Sequence, residues 1–412
     1  MNYFVKNIKI NKLFHLQDFN IPIENGATPH LLLTGKNGTG KTVLLKAIAE
    51  FLDMVKNDQS LNFLSLKQNL SDAIGTQKQS LPMQMKAQLQ RNVDQWQDAY
   101  DRAFGKVEIE FNDILDIVEN IKSKNFLFAF YSASRSPKML EPKNPIKPQL
   151  DRPVPVQETV TDQLLYFLSD LKIQEALARN EGQIEDANSI KQWFDDFEGI
   201  LKEIYQDSAL TLNFNYKDYT FTIKTKDREP FKFTEMSDGY IAAIDIIADL
   251  ILKMQGKGTL VRSYQTPGVV LIDEIETHLH LELQGLVMPI LTKLFPNIQF
   301  IVTTHSPFVL NSINNAVAYD LEQREIISDL TEYSYESLAE GYFGVRTQSS
   351  YMEMRLNMLK GLLEKDVLSN VEIIQLKQLI QDFSNIPEAV SPAIVGAFMQ
   401  LQIKYSEKIK AL

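Results

Sequence analysis

Four stretches of this chain carry residues of the right type and spacing to handle phosphate. Gly35-Lys36-Asn37-Gly38-Thr39-Gly40-Lys41-Thr42 fits G-x-x-x-x-G-K-[ST]. The glycines allow a tight loop whose amides converge on phosphate oxygens. Lys41 can reach the β and γ phosphates, and the Thr42 hydroxyl can ligate Mg²⁺. Val269-Val270-Leu271-Ile272 ends in Asp273 and Glu274. There Asp273 would hold Mg²⁺ through water and Glu274 would polarise an attacking water. Gln299–Thr304 is an apolar run ending in His305, and a histidine at such a strand end can contact a γ-phosphate and report its presence. Ser237-Asp238-Gly239 places a hydroxyl and a bare backbone at a helix start, a second anion-binding end; taken alone it is an ordinary N-cap. His278 and His280 have the spacing of a metal pair but no convincing third ligand, so a packing or loop role is expected for them.

Positioning these groups requires a parallel sheet. Leu31–Thr34 reads as a strand leading into the glycine loop, and a helix from Lys41 to about Met54 follows, with Leu44, Ile48, Phe51 and Leu52 at helical spacing. The helix N-terminus then points at the phosphates. The wholly apolar 269–272 run suits a central strand buried on both faces. An acid at its C-terminal end lies where ligands bind in open α/β sheets. Tyr3–Ile10, Phe19–Ile23, Val107–Phe111 and Phe126–Tyr131 read as further strands, and Asp238–Met254 as a helix. Leu210–Ile223 alternates, with Lys217-Asp218 as its hairpin turn. Residues 55–105 and 156–207 read as helical insertions. Between them, Pro137, Pro142, Pro145, Pro148, Pro153 and Pro155 remove backbone donors and block helix, so 136–155 is an extended basic linker. Beyond residue 330 the pattern is helical. Its stripe of Leu356, Leu359, Leu363, Ile373, Leu376 and Ile380 suits a core or a docking surface equally.

Composition narrows the chemistry. In 412 residues there is no cysteine, which excludes disulfides, thiolate-held metals and thiol nucleophiles. Forty-two Lys and Arg against 53 Asp and Glu leave a net charge of −11, which argues against a diffuse electrostatic coat for nucleic acid. A local basic patch stays open, because Lys122–Arg152 holds seven basic and two acidic residues. The first residues lack the apolar core of a signal peptide. Asp245 and Asp249 interrupt the longest apolar run, so no membrane span and a cytoplasmic location are expected.

Together these motifs resemble the ABC-type ATPase head of the SMC/RecF/OLD-like group. The order matches: phosphate loop, insertion, Ser-x-Gly signature, Asp-Glu strand, His switch. So do the spacings of 36 positions from Ser237 to Asp273 and 32 from Asp273 to His305. GKNGTGKT, LIDEIETHLH and TTHSP are similar to the bacterial stand-alone members called AAA-15 or AAA-21 ATPases, over about residues 1–330. The resemblance implies an α/β P-loop NTPase head of the ABC type: a mixed sheet flanked by helices plus an antiparallel β lobe, with helical insertions. A C-terminal helical region, 331–412, would serve partner docking or oligomerisation. Glu276–His280 falls in the D-loop region, and Tyr131–Arg135 falls where the Q-loop belongs. The cofactors implied are ATP and Mg²⁺, and the reaction a slow, regulatory hydrolysis of ATP. Two heads would sandwich ATP, each site completed by Ser237 and Gly239 of the other chain.

Three departures limit the match. The signature reads MSDGY rather than LSGGQ, against a transporter subunit. No Q-loop glutamine is present, leaving Ser132 and Arg135 in its place. No Asp-x-Asp follows His305, so no TOPRIM half is expected in this chain. Similar bacterial ATPases of the Septu, PARIS and retron-linked systems act in anti-phage defence by controlling a separate effector, often an HNH or TOPRIM nuclease. The competing expectation is a RecF-like repair ATPase that binds DNA directly, supported only by the basic stretch at 122–152.

Overall fold

The computed structural model describes residues 4–23, 30–58, 62–77, 83–123, 125–135, 139–144, 146–150, 154–255, 264–327, 335, 337–338, 350–386 and 392–410. Pro137, Lys138, Pro145, Arg152 and Pro153 of the basic linker, and Lys124 of the wider basic stretch, therefore lie outside the described residues. The chain divides into two compact units, Met1–Tyr335 and Glu336–Leu412.

The first unit runs, in chain order, β1 (Val5–Leu13), β2 (Leu16–Pro22), β3 (His30–Thr34), α1 (Lys41–Asn57), α2 (Asn62–Gln77), α3 (Met83–Phe104), β4 (Val107–Phe111), α4 (Ile114–Lys122) and β5 (Leu127–Tyr131). It continues with α5 (Leu164–Asn180), α6 (Ile184–Tyr205), β6 (Thr211–Asn215), β7 (Thr220–Thr225), β8 (Arg228–Lys232) and α7 (Asp238–Met254). It ends with β9 (Gly268–Ile272), α8 (Leu281–Leu294), β10 (Ile298–Thr303), α9 (Pro307–Leu310), β11 (Ala316–Asp320) and β12 (Glu325–Ile327).

The central sheet has the order β12-β11-β3-β10-β9-β5. Five of its strands are parallel, and β12 pairs antiparallel with β11. Every residue of β3, β9 and β10 is buried, as sheet strands covered on both faces require. Antiparallel β2-β1-β4 and β6-β7-β8 complete the mixed architecture.

Helix α1 packs Leu44, Leu45, Ile48 and Leu52 into a core shared with Leu31 and Leu33 of β3, Leu271 of β9 and Ile8 of β1. Each such burial stabilises by about 1.5–3 kcal/mol. Helix propensity differences are under about 1 kcal/mol per residue, so packing holds α1 in place. Helix α7 is buried almost all round, as a helix covered on every side reads. Two of its three acids, Asp245 and Asp249, are buried as well. Asp249 accepts hydrogen bonds from Tyr131 Oη (2.6 Å) and Val160 N (2.6 Å) and pairs with Lys253 Nζ at 2.7 Å.

Strands β8, β11 and β12 escaped the sequence reading. Strand β8 reads Arg-Glu-Pro-Phe-Lys, and a proline fits it only because β8 is an edge. Strand β1 starts at Val5 and extends to Leu13, beyond the expected Ile10, because its pairing with β2 continues to Leu13↔Leu16.

The second unit holds α10 (Ser350–Glu364), α11 (Asn370–Ser384), α12 (Pro392–Lys404) and α13 (Ser406–Lys410). Leu359, Leu363 and Leu376 of the expected stripe are buried with Leu379, Phe383 and Phe398 in this unit's own core. Among the described residues no helix is long and apolar enough to cross a membrane.

Candidate functional site

The sheet brings Thr34, Ile272 and Thr303 to one edge, so the loops that leave β3, β9 and β10 meet there. Leaving β3, the chain turns through Gly35 (φ 128°), Gly38 (φ 86°) and Gly40 (φ 98°), backbone that glycine tolerates and other residues resist. Gly40 also approaches Leu16 closely: a Cβ there would lie 2.9 Å from Leu16 Cδ1. Lys41 is buried, and its Nζ donates to Gly35 O (2.7 Å) and Lys36 O (3.0 Å), so it curls around its own loop. Burial pushes the Lys41 ammonium down from its ordinary pKa, while Glu274, Glu276, Asp273 and Asp320 pull it back.

Thr42 Oγ1 donates to Asp273 Oδ1 at 3.1 Å, and Thr303 Oγ1 donates to the same oxygen at 2.7 Å. Thr303 Oγ1 in turn accepts from Glu274 N at 2.7 Å. Glu274 has φ 43°, a strained value for a non-glycine residue at a strand exit. A pocket of about 330 Å³ is lined by Phe14, His15, Gly38, Lys41, Thr42, Glu274 and His305, among others. A second pocket of about 340 Å³, between α1 and the α2–α3 insertion, holds none of these groups.

His305 follows β10, and its backbone N donates to Glu276 Oε1 at 2.5 Å. Burial, and then the nearby Lys41 charge, push the His305 imidazole below its usual pKa; Glu274 and Asp273 oppose this. The environment thus favours the neutral ring. Burial pushes the Glu276 carboxyl up, against the hydrogen bond from His305 N.

Ser237 and Gly239 are not at this pocket. Ser237 is the N-cap residue of α7 but makes no side-chain cap hydrogen bond, and it is exposed. Its hydroxyl is thus not spent on the helix, unlike that of Ser306, which caps α9. Gly239 presses on the turn after β9: a Cβ there would lie 3.0 Å from His278 O and 3.0 Å from His280 Cδ2. The two histidines lie against α7, with His280 edge-on to Tyr240 at 6.3 Å.

Several site residues had no assigned role in the sequence. Phe14 and His15 sit in the β1–β2 turn, where Phe14 is 78% exposed and His15 Nε2 lies 3.0 Å from Thr39 O. Asp320 ends β11, Glu322 follows it, and the two brace the loop from behind. Lys36 Nζ donates to Glu322 Oε1 at 2.8 Å, and a Cβ on Gly35 would lie 3.2 Å from Asp320 Oδ1. Arg135, expected near the nucleotide, is instead buried under the Asp273–Thr277 turn. The only signal for Phe14 was an aromatic residue between two strands, and for Asp320 an acid after an apolar run.

A glycine loop between a parallel strand and a helix, facing an Asp-Glu strand end, defines a P-loop nucleotide-binding protein on an ABC-type α/β head. Residues 31–311 match the family described as AAA domain, putative AbiEii toxin, Type IV TA system, and the chain belongs to that family. It is similar to Septu protein PtuA of Bacillus mycoides, 26% identical over 329 residues, covering 80% of this chain and 40% of that protein. It is also similar to the Retron Vc95 probable ATPase of Vibrio cholerae, 34% identical over 118 residues, covering 28% of this chain and 21% of that one. The chain thus spans less than half the length of these relatives. Among solved structures, the Smc head domain from Pyrococcus furiosus bound to the C-terminal domain of ScpA aligns at a TM-score of 0.37. That alignment has 12% identity and covers 79% of this chain and 96% of that one.

Proposed function

We propose that this protein is an ATP-hydrolysing switch that dimerises around ATP and controls a separate effector in anti-phage defence. The hydrolytic part rests on one observation: Thr42 and Asp273 share a hydrogen bond beside a pocket lined by Lys41, Glu274 and His305. In this reading the amides of Gly35–Thr42 and the Lys41 ammonium bind the phosphates. Thr42 and Asp273 hold Mg²⁺. The Thr42 hydroxyl would ligate the ion directly and the Asp273 carboxylate would hold it through water; both are hard oxygen donors that suit Mg²⁺, and one direct protein ligand leaves room for phosphate oxygens and water. Among the described residues no cluster of three His, Cys, Asp or Glu could hold a metal alone, which suits an ion completed by its substrate. When bound, Mg²⁺ would neutralise charge on the phosphate oxygens. Glu274 takes the proton of the water that attacks the γ-phosphorus, yielding ADP and phosphate. Neutral His305 contacts the γ-phosphate and couples its presence to Glu276 through the backbone.

The exposed, uncommitted Ser237 hydroxyl supports a site completed across a two-fold axis by the partner's Ser-x-Gly. The names Septu protein and retron ATPase borne by the relatives support the defence setting. The effector would be an HNH or TOPRIM nuclease, docked through the helical region 331–412. Direct DNA binding, the alternative, loses Arg135, which is buried. The test is phosphate release together with mass by light scattering. Saturating ATP should double the mass and release phosphate. A monomer that releases none would overturn the proposal.

A further inference from the structure

The turn that carries Glu274 is irregular. Glu274 (φ 43°) and His278 (φ 70°) both adopt left-handed backbone that side chains disfavour, against which the turn itself sets two hydrogen bonds, Thr277 N to Glu274 O and Leu279 N to Glu276 O, both 2.9 Å. Beneath it lies Arg135, 9% exposed, four residues past the end of β5. One terminal nitrogen donates to Asp273 O at 3.4 Å. The other lies 3.5, 3.3 and 3.5 Å from the carbonyl oxygens of Glu274, Ile275 and Thr277. Each contact is long and weak by itself. Their number is the point: two nitrogens of one planar cation are spread over four carbonyls of a five-residue turn, a span the guanidinium fork covers and a single ammonium nitrogen does not.

The same turn reaches α7. His278 O and the His280 ring bear on Gly239, two residues after Ser237. Asp245 of α7, with Glu276 and Asp273, supplies the negative charge that offsets burial of the Arg135 guanidinium. Arg135 therefore stands between the strand end of β5, the acid-bearing turn and the helix that begins at Ser237.

We propose that Arg135 is a positioning residue: it holds the 273–277 turn so that Glu274 faces the phosphate pocket, and it transmits the state of that turn to the start of α7. This rests on the reading of Glu274 as the base for water. Arg135 touches neither nucleotide nor water in this scheme, so its loss should spare binding and slow chemistry.

The test uses the full chain with Arg135→Lys, which keeps the charge but cannot span four carbonyls, and Arg135→Gln as a second variant. ATP affinity by calorimetry should stay within about threefold, while kcat falls about 100-fold, the scale of a roughly 1 Å misplacement of a reacting group. Hydrogen exchange at the amides of 275–279 and of Gly239–Ile241 should quicken together. Pairing Arg135→Lys with Glu274→Gln should slow single-turnover hydrolysis no further than Glu274→Gln alone, since both act through one group. Wild-type kcat in Arg135→Lys overturns the proposal, as does a parallel loss of affinity and rate. Failure of both variants to fold also overturns it, in favour of a purely structural arginine. If Glu274→Gln itself hydrolyses ATP normally, the fault lies in the reading of Glu274 and not in Arg135.

Discussion

Thr42 and Asp273 lie 231 positions apart, yet Thr42 Oγ1 donates to Asp273 Oδ1 at 3.1 Å. The contact exists because β3 and β9 flank β10 and end at the same edge of the sheet. The same carboxylate oxygen also accepts from Thr303 at the end of β10. One oxygen thus ties together the exits of three neighbouring strands.

Lys41→Ala should abolish ATP binding at micromolar concentration. Each charge-assisted hydrogen bond to phosphate is worth about 1.5–3 kcal/mol, so losing two weakens binding by a factor on the order of 100 or more. Calorimetry that finds an unchanged affinity would remove the phosphate loop from the mechanism.

Glu274→Gln should bind ATP as the wild type does and hydrolyse it about 10²–10⁴-fold more slowly, because the isosteric amide cannot accept a proton. The variant should accumulate an ATP-bound assembly visible by light scattering. Wild-type turnover would place the base elsewhere.

Ser237→Arg should leave ATP binding near normal and abolish hydrolysis, since Ser237 is remote from its own chain's pocket and would face the partner's phosphates. Mixed with Lys41→Ala, it should recover part of the activity. One heterodimer site would carry both lesions and the other neither. Normal hydrolysis by Ser237→Arg alone would rule out the composite site.

His30 offers a test of stability against pH. Burial lowers its pKa to about 4, and its neutral Nδ1 accepts from Phe300 N at 3.1 Å. The unfolded imidazole titrates near its ordinary value of about 6.5. Below that pH the unfolded chain binds a proton that the folded chain refuses, so stability falls as pH drops from about 6.5 towards 4. Between pH 7.5 and 5.5 this group alone should cost about 1.4 kcal/mol. Unfolding free energies from urea titrations of wild type and His30→Gln should diverge by that amount between the two pH values. Parallel lines would mean that folding leaves the His30 pKa unshifted.

What could be read from the sequence depended on how local the cause was. The loop, the strand before it and helix α1 are encoded within about two dozen residues, with glycines where the backbone turns left-handed. Asp273 and Glu274 announce themselves at the end of an apolar run. Phe14 did not, since only the β1–β2 turn brings it over the loop. Arg135 stood in the sequence as a stand-in for the missing Q-loop glutamine, and only its packing under residues 273–277 reveals a buried anchor. Strand β11 reads Ala-Val-Ala-Tyr-Asp, too short and too small to stand out. Its partner β3 is what makes it a strand.

That pairing sets a timetable for synthesis. Strand β3 is flanked by β10 and β11, and Leu33 pairs with Tyr319, 286 positions later (319 minus 33). The glycine loop is translated early, but the strands on both sides of it, and the Asp320 that backs it, come about 260 positions or more later. At roughly 5–20 residues per second, the ribosome needs roughly 15–55 seconds to supply them. Throughout that interval β3 carries two bare edges and an unbraced loop, the condition that invites wrong pairing or capture by a chaperone. A nascent chain stalled before β10 would display the whole phosphate motif on a strand still unpaired on both sides.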